Sequence, residues 1–326
     1  MTLYVRDAVK SLRRDRIFAV TVVLTLALTI GASTAVFSVV DGVLLRPLAY
    51  PHSERLVVVE EIVPELVHLY PSVPVNARHF AVWRSRAASF ESLAAFQTLL
   101  QTMTGVGEPA LLEVVFSSGT LFDVLGTEAA LGRTLRGSDE SESSESVMVL
   151  TDRLWRQRFG GDPAVVGRTA VLDGVPRRIV GVLGFAFRFP TGDGLGRPST
   201  TVVAPDAVVP LRIDPEKPSP IGEHNYAVIG RLKAGMSSAQ GLAELDVLQA
   251  DIAATLTHSP GLKARVVPLT EAVVGRARRG LLLLLGAIVG VVLIASRART
   301  ADALCQGCGS VEGPEPPRVC DVGVRT

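Results

Sequence analysis

Two runs without a formal charge, Ile17–Val40 and Gly280–Ser296, bracket a chain whose apolar residues otherwise come in short bursts. The first is 24 residues long, roughly 36 Å as a helix, against about 30 Å for a hydrocarbon core. Its polar members are hydroxyl residues: Thr21, Thr25, Thr29, Ser33, Thr34 and Ser38. Such side chains bond back to helix carbonyls and cost little in lipid. Thr21, Thr25 and Thr29 recur every four residues, with Gly31, Ala32 and Ala35 following. They form either a packing face for a sister helix or a stripe that merely tolerates lipid. The second run holds 17 residues, about 25 Å as a helix, at the short limit for spanning. The pattern predicts transmembrane helices over 17–40 and 280–296, with a buried core helix as the alternative for the second.

Between them, 41–279 reads as an ordinary folded sequence. Strands are predicted at Arg55–Glu60, Val147–Leu150, Thr169–Leu172, Arg177–Leu183, Tyr226–Leu232 and Ala264–Pro268. Each is short, rich in Val, Ile or Leu, and bounded by Gly, Pro or charge. Asp173-Gly174 between two of them is a hairpin-turn signal. Helices are predicted at Asn76–Ala88, with Asn76 as cap and Phe80 and Trp83 inward, and at Ser237–Thr255. In the latter Ser237 or Ser238 caps, and Leu242, Leu245, Leu248, Ile252 and Leu256 recur at helical steps. Strands and helices interleave without strict alternation, which predicts an α+β domain. Ser138–Ser146, acidic and without apolar residues, reads as a solvated mobile loop; 190–199 and 214–222 also read as loops.

Charge orients the first span. Arg6, Lys10, Arg13, Arg14 and Arg16 precede it against Asp7 and Asp15, so the N-terminus is expected in the cytoplasm and 41–279 outside. Residues 1–16 read as a basic amphipathic cytoplasmic segment on the inner membrane surface. A cleaved signal peptide, with Ser33 and Ala35 at the cleavage site, is the competing reading. Against it, 16 residues precede the run, which exceeds the usual 7–15 of a signal sequence. The second run is flanked by Arg276, Arg278 and Arg279 and by Arg297 and Arg299, so charge does not orient it; the first helix and connectivity return the tail to the cytoplasm.

Composition adds restraint more than direction. Hydrophobic residues make up 48% and net charge is +1, so no electrostatic case for nucleic acid exists. The three cysteines, Cys305, Cys308 and Cys320, all follow the second run, so the main domain does without disulfides. There is no GxxxxGK[ST], which excludes ATP hydrolysis by a P-loop. No HExxH, no GxSxG and no full set of metal-spaced cysteines occurs either. The histidines are scattered, and sequence cannot pair the carboxylates. No catalytic, cofactor-binding or metal-ligating residue is assigned, no cofactor is expected, and the chain is not expected to be an enzyme. An anchored periplasmic enzyme has no support among the residues.

Residues 150–190, LTDRLWRQRFGGDPAVVGRTAVLDGVPRRIVGVLGFAFRFP, closely resemble the MacB-type periplasmic core domain. The opening LTLALTIGASTAVFSVVDGVLLRPLAYPHSERLVVV resembles the first helix and following segment of FtsX/MacB-like ABC transporter permeases, particularly the large duplicated permeases of acidobacteria. SLAAF (92–96), LFDVLGTEAALGRTL (121–135), VIGRLKAGMSSAQGLAELDVL (228–248) and VVPLTEAVVGRARRGLLLLLGAIVGVVLIA (266–295) agree. The resemblance covers about 1–295. It implies a multi-pass protein of the cell inner membrane with an extracytoplasmic α+β domain of two lobes between two transmembrane helices, one lobe split between early and late parts and one inserted from the middle. It also implies a separate ATP-binding subunit, a permease dimer, contact with membrane lipid, and a periplasmic domain that transmits ATP-driven movement to export. After Ala295 the family pattern of a further helix end and more spans gives way to Arg-, Gly-, Pro- and Cys-rich sequence. Residues 297–326 are expected to be a disordered tail, and a frameshift or gene fragment accounts for the break. Two readings stand: a permease subunit, truncated, or a stand-alone anchored binding domain without transport. The segment 41–279 is expected to fold alone as a soluble monomer.

Overall fold

The computed structural model describes residues 50–191, 195, 205–213, 224–255 and 261–273, with isolated positions in both hydrophobic runs. The chain divides into two compact units, Arg46–Arg276 and a second made of Met1–Leu45 with Ala277–Thr326. In the second, Val20, Ala27, Ile30, Gly31, Thr34 and Ser38 are described, as are Gly280, Leu283, Gly286, Ala287 and Gly290, and all are α-helical. Thr34 Oγ1 donates to the Ile30 carbonyl at 2.8 Å and Ser38 Oγ to Thr34 at 2.9 Å. This is the back-bonding expected of hydroxyls in such a run. Among the described residues no helix is long and apolar enough to cross a membrane. Most of 17–40 and 280–296, and all of 1–16 and 297–326, lie outside the described residues.

The larger unit is built on one mixed sheet. In chain order its strands are β1 (Leu56–Ile62), β2 (Val75–Asn76), β3 (Phe90–Thr104), β4 (Ala110–Ser117), β5 (Ala129–Gly132), β6 (Val147–Leu150), β7 (Thr169–Leu172), β8 (Val175–Leu183), β9 (Ala207–Pro210), β10 (His224–Leu232) and β11 (Lys263–Pro268). The spatial order is β11-β1-β10-β3-β4-β9-β6-β8-β5, with β2 against β10 and β7 bridging β3 and β8. β4 with β9 and β6 with β8 are parallel pairs; the rest are antiparallel. Among the described residues four α-helices join them: α1 (Ala77–Arg86), α2 (Leu121–Leu125), α3 (Asp152–Phe159) and α4 (Ser238–Thr255). The domain is therefore a mixed α+β fold.

Both faces of the sheet are covered, which explains its unbroken runs of Val and Leu. Along β1, Leu56 and Val58 point to one core, Val57 and Val59 to another. The first core lies on one face: Phe96, Val115, Val149, Val180, Val208 and Ile229 share it with α2, all of whose apolar side chains are buried. The opposite face carries two separate cores. One, under α1 and α4, is made of early and late residues such as Val57, Phe80, Trp83, Val228 and Leu245. The other, under α3, comes from the middle: Met103, Val114, Met148, Leu154, Ile179 and Val209. β3 joins the two halves. It pairs β10 at its start, β4 along its length and β7 at its end, and its 15 residues span about 50 Å.

Local signals account for several boundaries. Asn76 caps α1 by accepting the Arg78 N–H at 2.8 Å. Ser237 and Gln240 exchange bonds at the start of α4, Ser237 N–H to Gln240 Oε1 at 2.9 Å and Gln240 N–H to Ser237 Oγ at 3.3 Å, a reciprocal cap. Asp173 (φ 45°) and Gly174 (φ 80°) form the turn between β7 and β8 with both φ positive, as a two-residue hairpin requires. The reading of Ser138–Ser146 as a mobile loop is corrected at its first residues: Asp139 is buried and Glu140 half-buried, each held by an arginine. Of 190–199 only positions 190, 191 and 195 are described, and 214–222 lies outside the described residues.

Candidate functional site

Glu60 and Glu61 come just before the last residue of strand β1, and alternation sends the two carboxylates to opposite faces. Glu60 meets Arg265 of β11 at 3.0 Å and accepts the Ser72 hydroxyl at 2.7 Å. Glu61 points beneath α1 and is wholly buried. Its Oε1 lies 2.5 Å from Nδ1 of His79 on α1, and its Oε2 lies 2.9 Å from Nδ1 of His224 at the start of β10. The Asn76 N–H reaches Oε2 at 3.4 Å.

The proton positions follow from the acceptors. His224 Nδ1 faces both Glu61 and the Pro74 carbonyl, at 3.0 Å, so it carries hydrogen. His79 Nδ1 likewise donates to Glu61. Gln249 Nε2 of α4 stands 3.2 Å from that nitrogen; two N–H donors cannot face each other, so the amide is assigned the flipped orientation, with its otherwise unpartnered oxygen toward His79. Burial by itself would raise the Glu61 carboxyl, but hydrogen bonds from His224 and His79 and their charge outweigh it, and the group titrates below the ordinary glutamate value. One carboxylate thus ties β1, α1 and β10, with α4 reached through His79. The His79 ring also lies 6.4 Å from that of Trp83, a fully buried residue of the same helix.

A second joint sits at the other end of β1, where the chain arrives. Arg231 of β10 is buried and among the described residues donates only to carbonyls: Val124 at the end of α2 at 2.9 Å, Pro51 at 2.9 Å and His52 at 3.4 Å. Burial, then the charge of Arg55, lowers its pKa below the usual arginine value. Its role is geometric: it fastens the segment preceding β1 to the helix over the shared core. Gly126, the left-handed residue ending α2, would place a Cβ 3.4 Å from this guanidinium.

A third joint uses the acidic loop. Asp139 takes Arg133 bidentately at 2.7 and 2.9 Å and the Arg136 N–H at 2.8 Å. Glu140 takes Arg84 of α1 at 2.6 and 2.9 Å and the Gly119 N–H at 2.7 Å. Gly119 has no room for a side chain, since a Cβ there would lie 2.1 Å from the Arg136 carbonyl oxygen.

These are positioning networks, with no cleft holding a nucleophile and base together among the residues named. The sequence reading assigned no site residues and left the carboxylates unpaired. The two histidines lie 18 and 163 positions from Glu61, a separation no motif spacing could bridge. The only signal was two acidic residues closing a valine run. Among the described residues no cluster of His, Cys, Asp and Glu fit to hold a metal occurs.

Comparison with known proteins places this architecture. Residues 19–248 match the MacB-like periplasmic core domain. No curated protein matches the chain. Among solved structures, similarity is found to a domain assigned to a permease of Porphyromonas gingivalis, at 16% identity and TM-score 0.47 over 67% of this chain and 92% of that one. The periplasmic region of MacB from Actinobacillus actinomycetemcomitans gives 12%, 0.47, 65% and 89% in the same order. The extracellular domain of the noncanonic ABC-type transporter YknZ from Gram-positive bacteria gives 13%, 0.45, 64% and 99%. The family match spans most of the chain, and the chain belongs to the MacB-like periplasmic core domain family of ABC-type permeases.

Proposed function

We propose that this chain is the permease subunit of a MacB-like exporter, and that its extracytoplasmic domain transmits movement driven by a separate ATP-binding protein. The observation that carries the reading is the side-by-side arrangement of β1 and β11. They are antiparallel, with Val57 opposite Pro268 and Ile62 opposite Lys263. The chain therefore arrives at and leaves the unit at one end of a single ladder. A shift of the flanking segments is delivered to both strands together, and Glu61 and Arg231 carry it on to the helices on either face.

In this reading 17–40 and 280–296 are inner-membrane spans, the N-terminus is cytoplasmic, and the domain between them works in two lobes. The division of one face into an early-and-late core and a middle core supports the lobes. A permease dimer and membrane lipid complete the assembly, and the chain itself performs no catalysis. The break in composition after Ala295 fits a reading-frame change in a longer permease gene. Spin labels at Val166 and Val247, both exposed and one in each half, test the movement. With the ATPase present, turnover is expected to change the label-to-label distance distribution. An unchanged distribution, with ATPase bound, refutes transmission. Failure of any ATPase to copurify with the full chain favours a stand-alone anchored domain.

A further inference from the structure

Aromatic residues alternate in the loop that follows β8, at Phe185, Phe187 and Phe189, with Arg188 between the last two. Two of the rings hold the loop to the core. Phe187 lies 6.2 Å from the Phe122 ring of α2, and Phe189 meets Phe96 of β3 edge-on at 5.1 Å. Phe185 turns the other way. It is 74% exposed, more than any other large apolar side chain described in the Arg46–Arg276 unit. The exposed Arg188 guanidinium stands over its ring, 5.7 Å from the centroid, and donates to the Phe185 and Phe187 carbonyls at 2.7 and 2.9 Å. The loop thus presents an aromatic ring and a cation together.

A lone exposed aromatic is ordinary; the place of this one is not. The Tyr50 hydroxyl donates to the Arg188 carbonyl at 2.5 Å. Tyr50 is ten residues past Val40, the end of the first uncharged run, a stretch of at most about 36 Å. The departing chain packs into the same core, where Leu269, Ala272 and Val273 join Tyr50, Phe187 and Phe189. Gly280, the start of the second run, is seven residues beyond Val273, at most about 25 Å away. Both connections to the uncharged runs therefore start from the core that holds this loop.

We propose that Phe185 and Arg188 form an interfacial membrane anchor, the ring entering the headgroup region and the guanidinium pairing with lipid phosphate. Aromatic rings concentrate at that depth, and an arginine lays its apolar stem along them while its head reaches phosphate. Asp123 and Glu128 are exposed on the neighbouring segment leading to β5, which pairs β8. The attraction is therefore to the phosphate itself and not to a net anionic surface, and zwitterionic lipid suffices. The inference rests on the reading of 17–40 as a span and gives the extracytoplasmic domain a lipid contact of its own.

The test is tryptophan quenching in the full chain, reconstituted in phosphatidylcholine vesicles whose acyl chains are brominated either near the headgroup or near the chain ends. The native Trp83 is fully buried and Trp155 half-buried, so the wild type supplies the background. Phe185→Trp is expected to add fluorescence that shallow bromine quenches several-fold more than deep bromine. Leu69→Trp, 63% exposed beyond the far end of β1, is expected to add none that either lipid quenches. Ile30→Trp, midway along the first run, tests the span by itself and is expected to respond most to deep bromine. Quenching at Ile30→Trp without any at Phe185→Trp overturns the anchor and leaves the span; loss of both overturns both. Quenching of Phe185→Trp by aqueous iodide alone, or by neither reagent as under a protein partner, also overturns the anchor. Adding Arg188→Glu to Phe185→Trp is expected to abolish most of the lipid quenching and Arg188→Lys to retain it. Undiminished quenching with Arg188→Glu overturns the phosphate contact.

Discussion

Replacing Glu61 by glutamine tests whether the buried carboxylate is the tie it is taken to be. The side chain keeps its size, so no cavity forms, but one carboxylate oxygen becomes an NH2. The two histidine Nδ1–H groups, at 2.5 and 2.9 Å, then face one acceptor and one donor. The N–H facing the new NH2 loses its charged acceptor and keeps only the weaker one beside it, the Pro74 carbonyl for His224, at a cost of about 1–3 kcal/mol. For a unit of this size each kcal/mol moves Tm by about 2–4 °C. A loss of roughly 2–12 °C near neutral pH is expected, followed by circular dichroism on heating.

The pH dependence sharpens the test. The Glu61 carboxyl titrates lower in the folded than in the unfolded chain, because the histidine bonds outweigh desolvation. Its contribution is therefore fully present above the unfolded glutamate value, about 4.3, and is lost as pH falls through the folded value. Protonated glutamic acid resembles glutamine, so the gap between wild type and Glu61→Gln should close in acid. The comparison is made as a difference because Asp139 and Glu244, also lowered, act in the same direction. A Tm within about 1 °C of wild type near neutral pH, or a gap that widens in acid, refutes the reasoning.

Two other substitutions probe the remaining joints. Arg231→Met keeps the stem but strips the carbonyls of Val124 and Pro51 of their donor; about 2–4 kcal/mol of stability should be lost in urea unfolding, and Arg231→Lys should restore only part of it, since an ammonium cannot span the three carbonyls. Asp139→Ala frees Arg133 and the Arg136 N–H, so limited proteolysis within 138–146 should accelerate while the Glu61 pH response stays unchanged; equal cleavage rates would show that the loop is held some other way.

Much of the strand content was legible because it rests on local chemistry. Val147–Leu150 and Thr169–Leu172 fall where the apolar bursts predicted them. Asp173-Gly174 turns because aspartate and glycine tolerate positive φ. Asn76 and Ser237 cap because their side chains reach a backbone N–H two or three residues on. By contrast β3 mixes Glu, Ser, Gln and Thr with its apolar residues. It carries no clean period because its two ends belong to different cores, and the pattern could not disclose it.

Sequence by itself determined the two uncharged runs, the α+β character between them and the family resemblance, all of which depend on residues near one another in the chain or on their order. Only tertiary structure decided that Glu61 meets His79 and His224, and that Arg231 fastens the start of β1 to α2. Those partners come from separate strands and helices. Their meeting is fixed by strand register and by which face each side chain takes, quantities that no short stretch of sequence encodes.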